Sequence, residues 1–241
     1  MNTKDNIAVT ISNANERVTP LETINAIKKA GYSKVFIEWY NKDWEISQQQ
    51  QLDYCRKLGL EVIFAHLGYQ RINSLWLEDE EGAGLVERYK NDIRICKENG
   101  IDLVCMHLTS KSQAPTPNEI GIRRLREICD YACELGVRIA FENTEIKGYQ
   151  EYVLAHIPND NVGICLDSGH YHAHFHDELD FHLFKDKIFC VHLHDNDGSD
   201  DQHLIPFDGT LDWDHLMAQL TECHYTGPIT MELVYRNDYL N

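Results

Sequence analysis

The chain of 241 residues sets 22 Lys+Arg against 39 Asp+Glu, a formal net charge of −17, and is 43% hydrophobic. That is ample material for one core, with no run near the roughly 18 apolar residues of a membrane-spanning helix. An acidic surface repels phosphate, which argues against nucleic-acid binding, because affinity for DNA begins with neutralising its charge.

The opening MNTKDN has no apolar h-region, so no signal peptide is expected. Apolar, β-rich runs then alternate with helical patterns. Strands are expected in IAVTIS from Ile7, KVFIEWY from Lys34, EVIFAHL from Glu61 and DLVCMHLT from Asp102. Four more follow in RIAFENT from Arg138, VGICLD from Val162, IFCVHLHD from Ile188 and PITMELV from Pro228. Between them, TPLETINAIKKAG places Leu21, Ile24, Ala26 and Ile27 on one face, with Gly31 as its stop. ISQQQQLDYCRKLG, GLVERYKNDIRICKENG and EIGIRRLREICDYACELG repeat that pattern. The run Glu78, Asp79, Glu80, Glu81 reads as a solvated helix start.

A helix ending in Gly and then an apolar strand is the repeating unit of a parallel α/β protein. Eight strands with seven crossovers fit a closed (β/α)8 TIM barrel, one domain spanning 1–241. A doubly wound open sheet lacks support, since no G-x-G-x-x-G follows the first strand, which runs into SNANERVTP. The eight cysteines include no C-x-x-C. Cys105, Cys165 and Cys190 sit inside apolar runs, and Cys129 and Cys133 share a helix face. Free thiols in a reduced, cytoplasmic protein are expected.

The strand ends carry the chemistry. His66 ends the third strand, His107 the fourth, Glu142 the fifth, and Asp167 the sixth, with His170 just beyond. His192 and His194 end the seventh, whose loop holds Asp201 and His203, and Glu232 lies on the eighth. Barrel closure gathers these ends around one axis, at the face where such barrels build active sites. Period-two geometry points His192 and His194 the same way, with Val191 and Leu193 toward the helices. Four carboxylates are costly to bury uncompensated, so a divalent-metal site is expected.

The motifs FENT, GICLDSGH, VHLHDNDGSDDQH and TMELV resemble those of the xylose isomerase-like barrel superfamily. That group includes sugar epimerases, hydroxypyruvate isomerase and the endonuclease IV branch (AP endonuclease family 2). The resemblance implies one metal held by Glu142, Asp167, His192 and Glu232. His170 completes its Asp-x-x-His element and could hold a substrate oxygen. The larger endonuclease IV set, with three zinc ions, is also matched: His66 and His107 for one metal, and His170, Asp201 and His203 for another.

Other features are weaker. Of His172, His174 and His176, exposure is expected. Glu38, Trp39, Tyr69 and His194 are candidate substrate contacts, and Trp76, Phe207 and Tyr235 are further rings near loop starts. Gly209 before TLDW resembles a family turn, P-G-x-G-x-I-D-W, in which Phe207 replaces the first glycine. Gly198 stands where some ketose epimerases carry an arginine.

Two activities compete. A divalent ion would acidify the C–H beside a sugar carbonyl, with Glu142 and Glu232 moving the proton through an enediolate. The alternative is zinc-dependent phosphodiester cleavage of the endonuclease IV type, on a small phosphorylated substrate rather than DNA, since the loops read EDEE and DNDGSDD. One to three ions are expected, Zn²⁺ or Mn²⁺ first, then Mg²⁺ or Co²⁺, with no nucleotide cofactor. A small-molecule substrate is expected, without nucleic acid or membrane, and the oligomeric state is open.

Overall fold

The computed structural model describes residues 3–11, 18–39, 46–111 and 113–233. In chain order they form β1 (Ile7–Ile11), α1 (Pro20–Lys29), β2 (Lys34–Trp39), α2 (Gln48–Lys57) and β3 (Glu61–Leu67). Then come α3 (Glu80–Glu98), β4 (Leu103–His107), α4 (Glu119–Glu134), β5 (Arg138–Glu142) and α5 (Tyr149–His156). The chain continues through β6 (Val162–Asp167), α6 (Ser168–Phe175), β7 (Ile188–His192), α7 (Trp213–Glu222) and β8 (Ile229–Met231).

Local chemistry explains the boundaries. Thr19 with Glu22, and Ser47 with Gln50, form capping boxes that open α1 and α2. The Asp79 side chain accepts from Gly82 N at 2.6 Å and starts α3 at Glu80, so the acidic run does begin a helix. Gly31, Gly59, Gly100 and Gly136 follow α1 to α4 at φ between 65° and 88°, a conformation that only glycine adopts freely. The structure adds α5, α6 and α7, of which α5 and α6 are only eight residues each. Among the described residues, no helix is long and apolar enough to cross a membrane.

All strands run parallel in the order β7-β6-β5-β4-β3-β2-β1-β8. The ring closes between β7 and β8 through one isolated bridge, Leu193 to Met231. Leu193 N donates to Thr230 O at 2.8 Å and Glu232 N to Leu193 O at 3.2 Å. Eight parallel strands thus make the expected (β/α)8 barrel.

Alternation along each strand divides two cores. Ile37, Val104, Ile139 and Val162 face outward onto the helices, while Phe36, Phe64, Cys105, Ala140, Cys165 and Cys190 fill the barrel interior. Each large side chain so buried contributes roughly 1.5–3 kcal/mol. All eight cysteines are free. Cys133 is exposed while Cys129 is buried, so their shared helix face lies at the edge of the core.

Trp39 takes the outward alternative. It sits in the helix-facing core with Leu52 and Tyr89, and its side chain bonds Asp92 of α3. It is therefore no substrate contact; the period of two puts Glu38 inward and Trp39 outward. Burial lifts the Asp92 carboxyl to about 6, against the opposing Arg88 cation and Trp39 bond. The folded state binds this proton more tightly than the unfolded chain, so stability is full below about pH 4 and lost as pH rises through about 6. Asp92→Asn should raise the melting temperature at pH 7 relative to wild type, and leave it unchanged near pH 3.

Candidate metal centre

His107, Glu142, Asp167 and His192 are the last residues of β4 to β7, His66 is next to last in β3, and Glu232 directly follows β8. Parallel register sets them side by side: Glu38 opposes His66, His107 opposes Glu142, and Asp167 opposes His192. Glu142 is the hub. Its Oε2 lies 3.0 Å from His66 Nε2, 3.3 Å from His107 Nε2 and 3.4 Å from His192 Nδ1. Its Oε1 is 3.5 Å from His170 Nδ1. His192 Nδ1 is also 3.4 Å from Glu232 Oε2 and 3.9 Å from Asp167 Oδ2.

A second focus surrounds Asp201. Its Oδ2 is 2.9 Å from His203 Nε2 and 3.4 Å from His170 Nε2. The expected trio of His170, Asp201 and His203 therefore meets at Asp201. His194 belongs there too, with Nδ1 3.7 Å from Asp201 Oδ1 and its ring stacked on His203 at 4.0 Å.

Short-range folding fixes these positions. Asp167 ends β6 and caps α6, accepting from His170 N at 2.6 Å, so one carboxylate orients both the helix and its histidine. Its backbone is clamped by Asn143, which accepts from Asp167 N at 2.7 Å and donates to Asp167 O at 2.9 Å. The His194 ring lies against Gly169, where a Cβ would come within 1.9 Å of Cε1.

Asp195 organises the loop between β7 and α7. Its buried carboxylate accepts from Phe207 N (2.9 Å), Leu211 N (3.2 Å), Asn196 N (2.8 Å) and Trp213 Nε1 (2.8 Å). Asp195→Ala would orphan these donors and loosen the segment bearing Asp201 and His203. A loss of about 2–3 kcal/mol in urea unfolding is expected. Asp195→Asn should lose less, since one oxygen still accepts.

The electrostatics call for a cation. Burial disfavours charge on Glu142, yet His192 and His107 hold its carboxyl well below the usual range. Burial likewise pulls His192 down, but Glu232 and Glu142 outweigh it and raise the imidazole to about 10. His203 is lifted to about 10 by Asp201 and Glu232 against the same penalty. Imidazoles raised above their usual range thus face carboxylates held below theirs, a pairing that a divalent ion would replace as the ligands deprotonate.

Both ring nitrogens of His192, Nδ1 of His107, His170 and His194, and Oδ1 of Asp201 are buried without a hydrogen-bond partner. Donor atoms of Glu142, Asp167, His192 and Glu232 all lie within 4.8 Å of one another. So do those of Asp167, His170 and Asp201, and those of His194, Asp201 and His203. Unsatisfied imidazole nitrogens facing carboxylates fit a hard-to-borderline divalent metal such as Zn²⁺ or Mn²⁺.

Other expectations divide. Tyr69 reaches the site: it is 39% exposed and stacks on His107 at 4.2 Å and 5°. Glu38 lies close enough for its charge to help raise the Tyr69 phenol, after burial itself. His194 is fully buried and bonded to Asp167 Oδ2 at 3.0 Å, so it positions Asp167 and is closed to substrate. His172 and His174 are half-buried, contrary to expectation, and only His176 is exposed. His172 bridges Asp177 (2.9 Å) and Thr210 (2.9 Å), and His174 stacks on His170 one helical turn away.

Trp76 is core, its indole donating to Leu108 O. Phe207 is 78% exposed at φ 77°, the conformation for which glycine suits that turn. Tyr235 lies outside the described residues. Sequence reasoning passed over Asn143 and Asp195, although both sit inside quoted motifs, FENT and HLHD.

The inosose isomerase of Bacillus subtilis (strain 168) is 28% identical over 182 residues, covering 67% of this chain and 64% of that protein. A probable endonuclease 4 of Mycoplasma mycoides subsp. mycoides SC is 24% identical over 172 residues, covering 63% of this chain and 58% of that protein. The chain thus spans less than two thirds of either relative. In fold, the crystal structure of the IOLI protein with a binding zinc atom superposes with a TM-score of 0.77 at 21% identity, covering 97% of this chain and 90% of that one. Residues 24–240 match the family model of the xylose isomerase-like TIM barrel, and the chain belongs to that family.

Proposed function

We propose that this chain is a divalent-metal-dependent isomerase or epimerase of a small sugar, sugar phosphate or related hydroxycarbonyl compound. It would act as a single-domain cytoplasmic enzyme. The observation that carries the reading is the buried set Glu142, Asp167, His192 and Glu232 at the carboxyl ends of the strands. Similarity to the inosose isomerase supports it.

These four residues would hold the ion, either Zn²⁺ or Mn²⁺. When bound, a divalent cation makes the C–H beside a carbonyl more acidic. The two glutamates differ in access: the Glu232 side chain is 14% exposed, that of Glu142 2%. Glu232 is therefore the carboxylate that substrate reaches, and it removes the carbon-bound proton to leave an enediolate. For transfer between neighbouring carbons Glu232 would return that same proton; for inversion at one carbon Glu142, facing from the other strand, would relay one from the His66 imidazole 3.0 Å away. His170 faces the same space and would hold a substrate oxygen, with Tyr69 and Glu38 at the rim for the sugar. Wild-type protein loaded with Mn²⁺, Co²⁺ or Mg²⁺ should exchange a substrate C–H with D₂O, read by proton NMR over pentoses, hexoses, their phosphates and hydroxycarbonyl acids. Absence of exchange across that panel would reject the reading.

A second reading rests on the continuity of all nine residues: His66, His107, Glu142, Asp167, His170, His192, Asp201, His203 and Glu232. Contacts link them into one cluster, as hydrolysis of a small phosphodiester by several zinc ions would require. Elemental analysis giving about three ions per chain, with alcohol released from phosphodiesters, would favour it.

A further inference from the structure

Beneath the carboxylate and imidazole cluster, and touching it where Cys105 Sγ donates to Glu142 Oε2 at 3.3 Å, lies a second donor set of different chemistry. Cys105 of β4, Cys165 of β6 and Cys190 of β7 point into the barrel, each two residues before a strand-terminal His107, Asp167 or His192. Their sulfurs all lie within 4.8 Å of one another. Cys105 and Cys165 are fully buried, Cys190 is 2% exposed, and none forms a disulfide. A layer of Ala or Val would fill the same space; three thiols from three strands also form a triangle of soft donors.

The triangle has access from below. A cavity of about 630 Å³ opens at the amino-terminal mouth of the barrel, opposite the candidate metal centre. Lys34, Arg138 and His224 line it, and Phe64, Cys190 and Thr230 reach into it from the barrel strands. Cys190 thus joins the thiol triangle to solvent space that is independent of the upper site.

We propose that Cys105, Cys165 and Cys190 form a soft-metal site for a monovalent d10 cation of the Cu⁺ class, loaded through the lower cavity. Thiolates select Cu⁺ and zinc over hard ions; a closed zinc site takes four protein ligands, whereas a buried trio of sulfurs completes the trigonal shell of Cu⁺. Binding exchanges thiol protons for the cation, the protons leaving to solvent, with no change of oxidation state. The upper site, rich in oxygen and imidazole donors, keeps its preference for a harder ion.

The test is anaerobic titration of the whole protein with Cu⁺ against a colorimetric Cu⁺ chelator, followed by X-ray absorption. Wild type should withhold about one Cu⁺ per chain in a sulfur-only shell. Cys165→Ala and Cys190→Ser should each lose that ion while keeping the wild-type circular dichroism spectrum. Cys133→Ser, at the exposed thiol, and Asp167→Ala, in the upper cluster, should retain it. Transfer of all Cu⁺ to the chelator by wild type would overturn the proposal. So would a shell containing nitrogen or oxygen, which would place the ion with His66, Glu142 and His192, and so would retention in both cysteine variants. If both variants unfold, the absorption shell of wild type decides: three sulfurs support the site, and any other shell rejects it.

Discussion

Asp167→Ala is expected to empty the proposed metal centre and lower the melting temperature of metal-replete protein by roughly 8–15 °C. Two losses add. A cation present at 100 times its dissociation constant stabilises the native state by about 2.7 kcal/mol, all of which goes if the ion no longer binds. Removing the cap of α6, where Asp167 accepts from His170 N, costs about 1 kcal/mol more. For a chain of this size each kcal/mol corresponds to roughly 2–4 °C. Chelation separates the two. It should destabilise wild type and leave Asp167→Ala unmoved, as read by calorimetry with and without chelator alongside elemental analysis. Full metal content in the variant would refute the ligand assignment.

Glu232→Gln should slow solvent exchange of the substrate proton by a factor of roughly 10²–10⁴, the range supplied by a positioned general base. The amide keeps an oxygen toward the site but cannot accept a proton, so metal content should stay near wild type. Glu142→Gln should behave differently. Its carboxylate lies 3.0–3.4 Å from His66, His107 and His192, and an amide there would leave buried imidazoles unbalanced. Metal content and melting temperature should fall together with exchange. Equal exchange rates in wild type and Glu232→Gln would remove Glu232 from the proton path.

The barrel and the ligand-bearing strand ends were legible because both follow simple periods. A glycine after each early helix and an apolar run after each glycine announced the repeat, and placement of His66, His107, Glu142, Asp167 and His192 at or beside the strand ends announced the site. What escaped depended on the third dimension. Trp39 and Glu38 are adjacent, and the register of β2 decides which faces the barrel. His172 and His174 read as exposed, whereas α6 stacks His174 on His170 and sends His172 to Asp177 and Thr210. His194 shared the direction of His192, but its burial follows from Gly169, whose missing side chain admits the ring. The convergence of Cys105, Cys165 and Cys190 needed the stagger between strands, which no single segment records.

The lone bridge that closes the ring has a mechanical consequence. Among the described residues, β7 and β8 end an otherwise continuous sheet, and the backbone joins them at the Leu193–Met231 bridge, through the hydrogen bonds of Leu193 with Thr230 and Glu232. His192 stands at one lip of this seam and Glu232 at the other. In the proposed loaded state His192 and Glu232 would hold the ion from opposite lips, so the reaction centre would also be the clasp of the cylinder. Gaping of the seam and release of the ion would then be a single event, with the backbone amides of Leu193 and Glu232 as its strain gauge.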